Sequence, residues 1–129
     1  MSTKKILLVD DDSDVRMAVR SALEESGYQI WEASDGSQAV NIWKTKASQI
    51  DLLLADLAMP GSLNGRQLAD KFRRERPSLK VIFTSGHFLN IPDMAGIIQS
   101  HGCFLQKPFS PETLAEIVRS HLNRTRLAN

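Results

Sequence analysis

Cysteine is nearly absent from these 129 residues: the one example, Cys103, has no partner for an internal disulfide, and no Cys/His pair has zinc-ligand spacing. A stapled secreted scaffold is thereby excluded, and a reducing, cytoplasmic setting is expected. Glycine and proline are sparse, at 7 and 5 residues, which rules out collagen-like and low-complexity chains. Neither sign of charge dominates: 16 Lys and Arg against 15 Asp and Glu leave +1, no broad field to draw nucleic acid or an anionic membrane. Neither is expected as a direct partner. Long apolar runs are missing too. Met1 to Lys5 leads into Ile6 to Val9, far too short for a signal-peptide core or a membrane span. No Gly-rich phosphate loop follows that run, which removes the simplest nucleotide-binding reading.

What remains is the composition of an ordinary globular chain, 42% hydrophobic and 24% charged, at the commonest size for one domain. We read residues 1–123 as that domain and 124–129 as a fraying tail. Five short runs rich in branched residues recur: Ile6 to Val9, Tyr28 to Ala33, Ile50 to Ala55, Val81 to Thr84 and Cys103 to Gln106. Asp51-Leu52-Leu53-Leu54-Ala55 does not alternate, as expected of a strand covered on both faces, whereas Gln29-Ile30-Trp31-Glu32 partly alternates, as nearer an edge.

Helical spacing fills the intervals. Val15, Ala18, Val19, Ala22 and Leu23 form one stripe, stopped at Gly27. Asp35, with Gln38 three residues on, opens a second helix carrying Ala39, Val40 and Trp43 inward. A third follows Asn64-Gly65 with Leu68, Ala69 and Phe72 and ends before Pro77. A weaker fourth runs from Asp93 to about Ser100, with Met94, Ile97 and Ile98. A fifth starts at Ser110-Pro111 and presents Leu114, Ile117, Val118 and Leu122. Strict alternation predicts an α/β, doubly wound, five-stranded parallel sheet with five helices on its two faces.

Ligands of such folds gather beyond the carboxyl ends of the strands. There the sequence places Asp10, Asp11 and Asp12, then Asp56, then Thr84-Ser85-Gly86, then Lys107-Pro108. Three or more carboxylates beside one lysine leave surplus negative charge that a hard dication neutralises. Mg2+ suits an all-oxygen set, with Mn2+ the alternative.

Val9-Asp10-Asp11-Asp12, Asp56-Leu57-Ala58-Met59-Pro60, Thr84-Ser85-Gly86 and Lys107-Pro108-Phe109 together resemble the response-regulator receiver signature in content, order and spacing, over nearly the whole chain. The resemblance implies a flavodoxin-like fold of strand order 2-1-3-4-5. It implies Asp56 as phosphoacceptor, and Asp10, Asp11 and Asp56 with the backbone carbonyl of Ala58 as metal ligands. Thr84 and Lys107 would bind the phosphoryl group. Thr84 and Phe104 would form the switch pair, Phe104 lacking the phenolic hydroxyl of relatives with tyrosine. Implied partners are a histidine kinase or histidine phosphotransfer protein, docked near Met17 and Pro108, and a downstream protein on the face of the fourth helix, fifth strand and fifth helix. A monomer or weak dimer is expected. The chain would not be a conventional enzyme but would catalyse its own phosphorylation and dephosphorylation.

The loop Gly61-Ser62-Leu63-Asn64-Gly65 is one residue longer than the commonest family form and resembles receivers of hybrid histidine kinases. The sequence ends about where the fold ends, which fits a stand-alone regulator or a segment of such a kinase. Ala58 and Gly86, at positions that often bear larger polar side chains in the family, leave little to shield or orient an attacking water. A phosphoaspartyl hydrolase, the competing class, wants an acid two residues after its nucleophile, where Ala58 stands. Asp12 and Asp14 suit helix capping. His87, His101 and His121 lack ligand or triad spacing, and Lys71, Arg73, Arg74 and Arg76 read as a solvated basic face. Lys107 before Pro108 is expected to be aimed by a fixed, cis peptide bond.

Overall fold

The computed structural model describes residues 3–59, 61, 63–86 and 103–124. Its centre is a parallel sheet of five strands: β1 (Lys5–Val9), β2 (Gln29–Ala33), β3 (Leu52–Asp56), β4 (Lys80–Ser85) and β5 (Phe104–Gln106). They lie in the order β2-β1-β3-β4-β5. β3, the middle strand, is buried at every residue, and β2 at the edge alternates only in part, which is what their sequences require.

Side chains of a strand alternate between faces, so each strand feeds two cores. On one face Leu7, Val9, Leu53, Ala55, Val81 and Phe83 meet α2 (Gly36–Lys46) and α3 (Gly65–Glu75) through Ala39, Trp43, Leu68 and Phe72. Trp43 and Phe72 stack there at 4.2 Å between ring centroids. On the other face Ile6, Leu8, Leu52, Leu54 and Ile82 meet α1 (Ser13–Glu25) and α4 (Pro111–Asn123) through Val19, Leu23, Leu114 and Val118. Each such aliphatic side chain contributes about 1.5–3 kcal/mol relative to its exposed state.

The helix starts are set by short side chains that accept from orphan backbone amides. Asp12 accepts from Asp14 and Val15, Asp35 from Gln38, and Ser110 from Thr113. Asn64 and Gln67 form a reciprocal capping box at α3. At α2 the returning Gln38 side chain reaches the amide of Ser34, one residue before the cap, at 2.8 Å. Past α1, Gly27 takes φ +98, the left-handed turn that ends the helix. Lys80 Nζ donates to the carbonyls of Leu122 (2.6 Å) and Arg124 (2.9 Å), closing the C-terminus of α4 with a cation.

Four helices, not the five expected, occur among the described residues. α4 is the fifth helix of the sequence reading, and the expected fourth, Asp93 to Ser100 with Met94, Ile97 and Ile98, lies outside the described residues. So do Pro60, Ser62, His87, His101 and the tail residues 125–129.

Val40 and Ile117 pack against the two cores as expected, half-buried at the margins of their helix faces. Two packing expectations need correction. Ala18 is exposed, because the contact stripe of α1 is narrower than its composition and centres on Val19 and Leu23. The basic end of α3 is not simply a solvated face. Arg73 Nε donates to the Leu79 carbonyl at 2.9 Å, and the Arg76 guanidinium donates to the carbonyls of Ala47 and Ile50 beside the Trp43 ring. Arginine carries five donors in a rigid fork, so it serves loop carbonyls that helix geometry leaves unpaired. No helix among the described residues is long and apolar enough to cross a membrane.

Candidate functional site

Parallel strands end on the same edge, and the register aligns their last residues. Val9 pairs with Ala55, and Asp56 with Thr84, so Asp10, Asp56 and Thr84 come to neighbouring positions at that edge. Lys107 follows β5, its amide donating to the Ser85 carbonyl at 2.9 Å. The Lys107–Pro108 peptide is cis.

Lys107 Nζ stands 2.8 Å from Asp10 Oδ2 and 2.9 Å from Asp56 Oδ2, bridging residues 97 and 51 positions away in sequence. Both carboxylates are buried, at 2% and 6% exposure, while Asp11 is exposed. Carboxylate oxygens of Asp10, Asp11 and Asp56 all lie within 4.8 Å of one another. The structure thus brings Asp10, Asp11, Asp56 and Lys107 together as the sequence reading requires.

The second oxygen of each buried carboxylate is held by backbone. Asp10 Oδ1 accepts from the Asp12 amide at 2.9 Å, and Asp56 Oδ1 from the Ala58 amide at 2.9 Å. Gly65, first residue of α3, lets that helix start against the backbone of Asp56: a Cβ there would meet the Asp56 carbonyl oxygen at 2.5 Å. Burial raises the Asp56 carboxyl above the usual carboxylate range, against the bonds from Lys107 and Ala58, which lower it. Burial alone would lower the Lys107 ammonium, but its bonds to Asp10 and Asp56 outweigh that and raise it. Lys107 therefore stays charged.

The donor set fits a hard dication. Three carboxylates against one ammonium leave two negative charges, all donors are oxygen, and Asp11 opens to solvent where retained waters would sit.

Thr84 is buried at the end of β4, its carbonyl accepting from the Leu57 amide at 2.9 Å. Phe104 is half-buried beside Phe83, its strand partner. Met17 is 66% exposed on α1, and Pro108 is exposed after Lys107. Asp12 is the cap of α1. Arg16 was not foreseen at the site: its guanidinium donates to the Asp10 carbonyl at 2.7 Å. The one available signal was a cation at the end of the first turn of a helix, where the dipole disfavours it and some other partner is needed.

Comparison with known proteins agrees with this geometry. The family model described as "Response regulator receiver domain" matches residues 6–119, and the chain belongs to that family. Accepting a phosphoryl group is the general role of such domains in two-component response regulators and hybrid kinases, and receiver domains generally bind Mg2+ through an acidic cluster of this kind. They interact with histidine kinases or phosphotransfer proteins. The chain is 34% identical to the sensor kinase CckA of Brucella abortus (strain 2308) over 124 residues, 92% of this chain and 12% of that protein. It is 31% identical to the aerobic respiration control protein ArcA of Escherichia coli (strain K12) over 125 residues, 97% of this chain and 51% of that protein. The chain thus spans at most about half of these relatives. Among solved structures, the receiver domain of NtrX from Brucella abortus superposes with TM-score 0.82 at 30% identity, covering 93% of this chain and 99% of that one. The receiver domain of the hybrid histidine kinase CckA gives 0.76 at 35% identity, covering 92% and 99%.

Proposed function

We propose that the chain is a signalling switch that takes a phosphoryl group from a phosphohistidine onto Asp56, in a Mg2+-dependent reaction, and thereby changes its partner-binding surface. The observation that carries this reading is the Lys107 ammonium shared between buried Asp10 and Asp56, with Asp11 completing an oxygen cluster at the strand ends.

A carboxylate oxygen of Asp56 attacks phosphorus in line, the bond from phosphorus to the donor imidazole breaks, and the imidazole leaves neutral with a proton. An acyl phosphate results. Lys107 follows the charge that develops on the transferred oxygens, since its ammonium already lies 2.9 Å from the nucleophile's oxygen. The Ala58 amide donates to the other carboxylate oxygen, Asp56 Oδ1, and so orients the attack. Asp10, Asp11, Asp56 and the carbonyl of Ala58 would hold the dication, which when bound supplies charge neutralisation at the phosphoryl oxygens. Thr84, at the end of β4 in register with Asp56, is the hydroxyl placed to bond a phosphoryl oxygen, and Phe104 turns with it. Hydrolysis of the acyl phosphate at the same site returns Asp56 to its free form and releases inorganic phosphate, so the domain catalyses both its own phosphorylation and its own dephosphorylation.

The donor protein, a histidine kinase or histidine phosphotransfer protein, meets exposed Met17 and Pro108 beside the site. A downstream protein meets the β5 edge and α4, where an open groove of about 450 Å³ is lined by residues including Cys103, Thr113, Ile117 and His121. The setting is cytoplasmic, and the domain works as a monomer or weak dimer.

Incubation with Mg2+ and a small phosphodonor, followed by intact-mass measurement of the wild type and Asp56→Asn, tests the assignment. A single phosphoryl adduct is expected on the wild type only. An adduct of equal yield on both proteins would move the acceptor elsewhere.

A further inference from the structure

The metal-site reading leaves one charged cluster unused, the set Arg16, Arg20, Glu24 and Glu32 on α1 and β2. We propose that Arg16, clamped by Glu32, is a positioning residue for the acidic pair Asp10 and Asp11, and this rests on the metal-site reading above.

The backbone of Asp10 is tethered from both sides. Its amide donates to the Ala33 carbonyl at 3.1 Å, which continues the β1–β2 pairing by one residue. Its carbonyl belongs to the peptide that leads into Asp11, and it accepts from the Arg16 guanidinium at 2.7 Å. That bond fixes the plane of the peptide and so the direction in which Asp11 leaves the strand. Of the two backbone tethers, only this one is made by a side chain. It is therefore the one that substitution can remove without touching a carboxylate.

Glu32 does two things for this arrangement. Its Oε1 accepts from Arg16 Nε at 3.3 Å, holding the guanidinium plane while another nitrogen reaches Asp10. It also cancels the charge of Arg16, which would otherwise repel a dication at the neighbouring carboxylates. Arg16 and Glu32 are only 18% and 26% exposed as side chains, so solvent screens the pair less than it screens a surface bridge. The other Glu32 oxygen takes Arg20, which in turn pairs with Glu24 at 3.0 Å, and neither bond reaches the acidic loop. Arg20 is thus a control inside the same network. Residues that orient metal ligands from behind typically change affinity by about 10–100-fold when removed; a backbone tether belongs at the lower end.

Calorimetric titration of the full chain with Mg2+ alone, with amide NMR shifts of Asp11 and Asp12 followed in the metal-free protein, tests the assignment. Arg16→Met is expected to weaken Mg2+ binding about tenfold and to move those amide signals before any metal is added. Arg16→Lys should recover only part of the affinity, since a compact ammonium lacks the planar fork that lets Nε meet Glu32 while another nitrogen reaches the Asp10 carbonyl. Glu32→Gln keeps an acceptor for Arg16 but uncovers its charge, so its weakening should fade near 1 M salt, where the screening length is about 3 Å; that of Arg16→Met should not. Arg20→Met should leave binding within about twofold of wild type. Equal affinity in Arg16→Met and wild type, or an equal loss in Arg20→Met, overturns the proposal. If Arg16→Met does not fold, the salt contrast between Arg16→Lys and Glu32→Gln decides the same point. A wild type that binds no Mg2+ would instead remove the metal-site reading itself.

Discussion

Replacing Gly65 by alanine sets two effects of opposite sign against each other, and the structure says which wins. Gly65 is the first residue of α3 and does not use a left-handed backbone. Helix propensity alone therefore predicts a gain of about 0.5–1 kcal/mol for Gly65→Ala. A Cβ built there, however, meets the Asp56 carbonyl oxygen at 2.5 Å, the Asp56 carbonyl carbon at 3.0 Å and the Leu57 Cα at 3.3 Å. Ordinary contacts begin near 3.4 Å, so the first is short by about 0.9 Å, and all three atoms are backbone that no rotamer change can withdraw. Overpacking of this kind costs about 1–3 kcal/mol. Net destabilisation of about 1–2 kcal/mol is expected by urea unfolding, as a lower midpoint at unchanged slope. The relief must come from α3 sliding or from the end of β3 moving, and the end of β3 carries the proposed phosphoacceptor. A displacement approaching 1 Å at a reacting group can lower a rate about 100-fold, so phosphorylation by a small donor should slow by one to two orders of magnitude while the protein remains folded. Equal or greater stability in Gly65→Ala would refute the steric argument, and lost stability with an unchanged phosphorylation rate would refute its link to Asp56.

Three further expectations follow from the same geometry. Arg76→Met strips donors from the carbonyls of Ala47 and Ile50 and should cost about 1–3 kcal/mol in urea unfolding, against less than about 0.5 kcal/mol for exposed Arg74→Met. His121 lies half-buried, its Nε2 without a hydrogen-bond partner among the described residues, and burial first, then Arg124 and Lys80, lowers its pKa below 6.5. The unfolded chain then binds the proton that the folded one refuses, so this stability is present above pH 6.5 and declines as pH falls through the window between 6.5 and the lower folded value; His121→Gln should flatten that part of a stability–pH curve. Saturating Mg2+, at about 100 times its dissociation constant, should raise unfolding stability by about 2.7 kcal/mol, and Asp11→Ala should abolish most of the gain.

The fold was legible in the sequence wherever a local rule decided the outcome. Strand β3 could be read as central because Leu52 to Ala55 has no polar position to face water, and β2 as an edge because Gln29 and Glu32 interrupt it. The starts of α1, α2 and α4 were visible as Asp12, Asp35 and Ser110 because N-caps are short-range chemistry, whereas α3, expected after Asn64-Gly65, starts at Gly65 with Asn64 as its cap. Legibility failed where a side chain serves an element far away. Arg76 reads as one more cation at a helix end, yet its partners are carbonyls 29 and 26 residues earlier in the chain. Ala18 has the spacing of a core residue, but α1 buries only Val19 and Leu23, with Val15 and Ala22 at the margin, and leaves Ala18 outside.

The site follows the same division, which explains why its acidic residues were predictable and Arg16 was not. Asp10, Asp11, Asp56 and Lys107 each stand at the end of a strand or within two residues after it, so knowing that the strands are parallel is enough to gather them at one edge. The bridging of Asp10 and Asp56 by one ammonium then follows from charge, since two buried carboxylates a few ångströms apart need a shared counter-ion. Arg16 instead reaches the site from the flank of α1 and needs Glu32, on the edge strand, to hold it there. Parallel topology accounts for the groups that react, whereas the packing of α1 against β2 accounts for the groups that aim them.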